Sequence, residues 1–106
     1  MSVEQLQYLY NLFTESYLAE TEALWACRAQ LIIIGDYRRI LGQTESRIAY
    51  HSARRVQERM EDLIGMMENS NEVLMAIEAN IRARIMGGEI PVNGRLERLV
   101  LRHYPL

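Results

Sequence analysis

From Leu6 to Ile85 the apolar residues of this chain recur every three or four positions, and that spacing favours helix over any other element. Leu6, Leu9, Phe13, Tyr17, Leu24, Cys27, Leu31 and Ile34 form one stripe. Ser2 and Gln5 have the spacing of a capping box, so the first helix is predicted to open there and to run to about Ile34. Gly35-Asp36 is its expected stop. Glu20 interrupts the stripe, and Trp25, Ile32 and Ile33 lie off it. A helix apolar beyond one stripe is expected to bury more than one face.

A second helix is predicted to start between Asp36 and Thr44 and to reach about Met67. Ala49, Ala53, Val56, Met60, Leu63, Ile64 and Met67 make its apolar face. Asn69-Ser70-Asn71-Glu72 reads as a break with a new cap. A third helix then carries Leu74, Ile77, Ile81 and Ile85, with Glu78 and Arg82 as an i,i+4 pair, and ends at Gly87-Gly88. Pro91 and Asn93-Gly94 mark a turn before a last short helix, about Arg95 to His103, built on Leu96, Leu99 and Val100. No strand pattern, internal repeat or low-complexity segment is present. The expected fold class is all-α: a single domain over residues 1–106, with two long helices plus short C-terminal helices. A chain of 106 residues covers little apolar surface alone, so a dimeric helical bundle is expected.

Charge is uneven along this pattern. The formal net charge is −2, yet residues 38–59 hold six arginines (Arg38, Arg39, Arg47, Arg54, Arg55, Arg59) against two acids, a net +4. The 37 residues before this block are −4 and the 47 after it are −2. A positive helix in an otherwise acidic chain points to a polyanion partner. All twelve cations are arginine, whose planar fork suits phosphate. Genome base composition or an overlapping reading frame would produce the same bias. Around the helix, Arg47, His51, Arg54, Glu58 and Asp62 fall opposite the apolar face, with Tyr50 and Arg55 at the edges and Arg59 on one flank. The plainer reading is a solvated surface laced by Arg54–Glu58 and Arg55–Glu58 pairs. A straight basic helix with no aromatic platform argues against single-strand stacking. It suits the backbone and 2′-hydroxyls of an A-form duplex, read by shape and without regard to sequence.

Other chemistry finds little footing. Neither His51 nor His103 follows a Glu by three residues, there is no His-Glu-x-x-His, and one cysteine cannot pair, so no metal site is expected. Cys27 lies on the apolar stripe and reads as a core residue rather than a nucleophile. No Gly-rich loop follows a strand, and no two carboxylates are set against an apolar wall. The chain is therefore read as no enzyme, with no cofactor. The longest apolar run is Leu31 to Ile34, so no membrane span is expected. The acidic N-terminus does not read as a signal peptide, and the lone cysteine favours a reducing compartment.

Two segments carry a family resemblance. Arg59-Met60 followed by Leu63-Ile64 resembles the Arg-Met and Leu-Leu that end the second helix of the insect nodavirus B2 proteins, small helical suppressors of RNA silencing. Arg95-Leu96-Glu97-Arg98-Leu99-Val100-Leu101-Arg102-His103 resembles that family's Arg-Leu-x-basic-Leu-x-Leu-x-His ending. The outline of two long helices and a short element in about a hundred residues is also similar. The resemblance implies a homodimer, a four-helix bundle, and a flat face that binds double-stranded RNA along its backbone and blocks its processing. It implies a host-cytoplasmic protein, with host RNA-silencing proteins as further partners. By position it makes Arg59 an RNA contact; Arg47, His51, Arg54 and Arg55 are RNA-binding candidates from helical geometry instead. The rival reading is a small helical protein-interaction module, such as a phage inhibitor or an immunity-like protein, with no nucleic-acid binding.

Overall fold

The computed structural model describes residues 1–39 and 42–105; of Gln43 and Thr44 only the backbone is described. Among the described residues there are three helices and no strand: α1 (Val3–Arg38), α2 (Gln43–Met86) and α3 (Gly94–His103). The chain divides into two compact units. A terminal unit combines Met1–Tyr17 with Glu68–Leu106, and a hairpin unit is the continuous segment Leu18–Met67.

Helix α1 opens on the expected capping box. The Ser2 N–H donates to Gln5 Oε1 (3.0 Å) and the Gln5 N–H donates to Ser2 Oγ (3.1 Å), so two end donors are satisfied reciprocally. Every residue of the stripe from Leu6 to Ile34 is buried or half-buried. The helix does not stop at Gly35-Asp36 but runs one turn further, to Arg38. A glycine inside a helix costs about 1 kcal/mol relative to alanine, which neighbouring turns can absorb.

Helix α2 corrects the sequence expectation most. It is unbroken through Asn69–Glu72, so the two helices expected there are one helix of 44 residues, and α3 is the single short C-terminal helix. The polar run holds no proline or glycine. Each of its residues lowers helix propensity by less than about 0.7 kcal/mol. Burying a neighbour such as Val73 or Ile77 gains about 1.5–3 kcal/mol, and Ser70 is itself buried. The helix ends where expected, at Gly87, which has φ +72°, and the Gly88 N–H donates to the Ala83 carbonyl (3.0 Å) in the manner of a Schellman cap. Ile85 is exposed rather than on the core face, and Glu78 accepts a hydrogen bond from the Tyr10 hydroxyl (3.0 Å) in place of the expected pairing with Arg82.

In the terminal unit, Leu6 and Leu9 of α1, Val73 and Ile77 of α2, and Leu96 and Val100 of α3 form one buried cluster, flanked by Phe13, Ile81, Leu99 and Tyr104. Asn93 caps α3, its Oδ1 accepting from the Leu96 N–H (3.0 Å). Arg95 pairs with Glu72 at 2.6 Å, and Tyr8 meets the rings of His103 and Tyr104 edge-on, so α3 is fixed at both ends. Asn80 is buried in this unit; its Oδ1 accepts from Arg84 Nε (2.8 Å), while its Nδ2 has no hydrogen-bond partner.

The hairpin unit joins α1 to α2 through residues 39–42, a connection short enough for an αα-hairpin. It buries far less: among its described residues only Glu20, Cys27 and Leu63 are fully buried. Ala49, Ala53, Val56, Met60 and Met67 are half-buried, as their spacing predicts, but Ile64 is exposed. Trp25, Ile32 and Ile33 are 61%, 60% and 54% exposed, so within the chain α1 buries one face here, not two.

Candidate nucleic-acid interface

The five candidate residues all lie on α2 within the hairpin unit, and all are exposed: Arg47, His51, Arg54, Arg55 and Arg59. Their placement follows from helical spacing. Ala49, Ala53, Val56, Met60 and Leu63 turn inward, so residues half a turn away must face solvent. From Arg47 to Arg59 the helix rises about 18 Å at ~1.5 Å per residue. Arg59 lies on the flank between the two faces, where its aliphatic stem can rest on apolar surface while the guanidinium stays in water.

The charges on this face are largely unneutralised. Arg54 Nε lies 3.5 Å from Glu58 Oε1, with both side chains about two-thirds exposed, a pair that contributes little to stability. The other expected pair, Arg55 to Glu58, is not made, and among the described residues Arg47, Arg55 and Arg59 enter no ion pair. Tyr50 is the organising side chain at one end. Its ring stands edge-on to His51 at 5.7 Å, and the Arg38 guanidinium lies 5.6 Å from the ring centroid. Arg38, from the last turn of α1, is thus brought to the basic face of α2 by a cation–π contact. Sequence reasoning counted Arg38 in the charge block but did not place it at the site.

A second basic group was missed. Arg95, Arg98 and Arg102 line one groove of the terminal unit together with Asn69, Phe13 and Leu99. Their spacing of three and four residues was legible, but the surrounding segment is net acidic and the cluster disappears in the sum. A second groove, bordered by Tyr10, Glu78, Ile81 and Ile85, is mainly apolar. There the hydrogen bond to Glu78 raises the Tyr10 phenol above its ordinary value, and the carboxylate's charge and desolvation push in the same direction. Among the described residues, no group of three or more His, Cys, Asp or Glu side chains is arranged to hold a metal ion, and no helix is long and apolar enough to cross a membrane. No family model matches the chain, and no curated protein or solved structure matches it at a significant level.

Proposed function

We propose that this protein binds double-stranded RNA without regard to sequence, through the arginine face of α2, and acts as a homodimeric viral suppressor of RNA silencing in the host cytoplasm. The observation that carries the reading is the exposed set Arg47, Arg54, Arg55 and Arg59 on one helix, three of them without an acidic partner among the described residues. Phosphate oxygens are the natural acceptors for such forks. The likeness of Arg59-Met60 and of the 95–103 tail to the insect nodavirus B2 proteins supports the same conclusion. The exposed apolar side chains of the hairpin unit support a second copy, which would double a footprint that Glu58, Glu61 and Asp62 keep short. Blocking of duplex processing would follow from occupancy of the backbone.

The decisive measurement is duplex affinity of Arg59→Ala beside its helical circular dichroism. Loss of one charge-assisted contact is worth ~1.5–3 kcal/mol, taken twice in a symmetric dimer, with helix content unchanged. Binding of the parent protein should weaken steeply with salt and should favour RNA over DNA duplex. If Arg59→Ala and the double variant Arg47→Ala/Arg54→Ala both bind as the parent does, the nucleic-acid reading is lost. The exposed Trp25, Ile32 and Ile33 favour one second reading, a helical module that captures a protein partner. In that case duplex RNA would not bind at all.

A further inference from the structure

We propose that the groove between α3 and the adjoining turns of α1 and α2 is a binding site for a phosphomonoester carried on a nucleoside-sized group, separate from the α2 face and independent of its reading. The groove encloses about 380 Å³, within the range of small-molecule sites. Arg95, Arg98 and Arg102 fall within ~60° of arc on α3, at ~100° per residue, and span ~10 Å along it. All three line the groove. One acid, Glu72, engages Arg95 at 2.6 Å, and among the described residues Arg98 and Arg102 enter no ion pair. Three guanidinium groups less one carboxylate leave a charge of +2, which matches the roughly −1.5 to −2 of a phosphomonoester at neutral pH.

The arrangement is costly when empty. Arg95 lies in the first turn of α3, where the helix dipole disfavours a cation, although Arg102 in the last turn is favoured, and like charges at i,i+3 and i,i+4 crowd one face. An anion in the groove offsets both effects. The remaining lining accounts for the organic part of the ligand. Phe13 and Leu99 offer an aromatic and an aliphatic surface, and Asn69 offers an amide donor and acceptor. A bare inorganic anion would leave that lining unused. The shared chemistry is a terminal phosphate on a nucleoside, whose source is either a free mononucleotide or the 5′ end of an RNA strand.

The test is calorimetric titration of the full chain with adenosine 5′-monophosphate and with adenosine, for the parent and for Arg98→Gln/Arg102→Gln. A second arm compares one RNA duplex carrying 5′-phosphate or 5′-hydroxyl ends. The parent should bind the monophosphate about tenfold or more tighter than adenosine, and the double variant should lose that margin, as expected for lost charge-assisted contacts. Preference for 5′-phosphate ends that vanishes in the variant assigns the strand end as the source. Monophosphate binding with no preference between ends assigns the free nucleotide. A monophosphate that binds no tighter than adenosine, or as tightly to a fully helical double variant as to the parent, overturns the site. Should the double variant lose helix content, Arg102→Gln alone carries the same comparison. Because the α2 face lies outside this groove, Arg59→Ala should bind the monophosphate as the parent does, so the two proposals fail separately.

Discussion

The terminal unit and the hairpin unit are made from the same two long helices, yet they bury their side chains very differently. In the terminal unit a third helix lies against α1 and α2, and six apolar residues from three helices close into one cluster. The hairpin unit consists of two helical segments, and Leu18, Trp25, Ile32, Ile33 and Tyr37 of α1 remain exposed. Two helices can cover one stripe of each other and no more; a residue half a turn from the seam needs a third element. The apolar surface is closed over in the terminal unit, where α3 supplies that element, and left exposed in the hairpin unit, to which the basic face of α2 belongs.

This contrast can be broken by substitution. The largest effect is expected from Ile77→Ala, which removes a fully buried side chain at the centre of the three-helix cluster and should lower stability by about 2–5 kcal/mol in urea denaturation. A loss below ~1 kcal/mol would show that the cluster is looser than its burial implies. Trp25→Glu with Ile32→Glu probes the other unit. Helix content should be preserved, because both side chains are exposed, while light scattering at micromolar concentration should pass from dimer to monomer. A parent that is already monomeric would remove the second copy from the proposed function. Tyr10→Phe is the subtlest. Because the folded phenol is raised above its unfolded value, the contribution of Tyr10 is present below pH 10.0 and is lost as pH rises through the higher folded value. The variant should therefore show a flatter alkaline decline in melting temperature than the parent; an identical decline would mean that the Glu78 contact is not kept in solution.

Much of the architecture was legible in the sequence. The capping box at Ser2 and Gln5, the buried stripe of α1 and the Gly87 stop were read from residue types and spacing, because each is decided within a turn or two of chain; Asn93 was read only as part of a turn, and in the structure it caps α3. The continuity of α2 was not. Asn69-Ser70-Asn71-Glu72 has the composition of a cap, and only the burial of Ser70 and Val73 by other parts of the chain decides for helix. A signal did exist: the two prolines are Pro91 and Pro105, so no residue before position 91 forbids a helix outright. The surplus of Trp25, Ile32 and Ile33 was visible as well, but not whether the chain itself would cover them. At the candidate site, exposure followed from periodicity, whereas the Arg38–Tyr50 contact and the α3 arginine groove depend on elements distant in sequence. Net charge summed along a segment carries no information about which face holds it.

The terminal unit is discontinuous in the chain, and this has a consequence for the order of assembly. Its two parts are separated by the 50 residues from Leu18 to Met67, so its core cannot form until that loop has closed. The hairpin unit needs only the short connection between α1 and α2, and helix growth and short-loop closure are complete within microseconds. Loop closure carries an entropy that grows with length, and contacts distant in sequence form late. A preformed hairpin shortens the effective loop and brings Leu6 and Leu9 toward Val73 and Ile77, after which α3 docks. Pulse-labelled hydrogen exchange during refolding should protect the amides of α1 and α2 in the hairpin before those of α3; protection of α3 first would reverse this order. The least buried part of the molecule would then be its template in time, and a fault in the hairpin would be felt first as slow folding of the three-helix core.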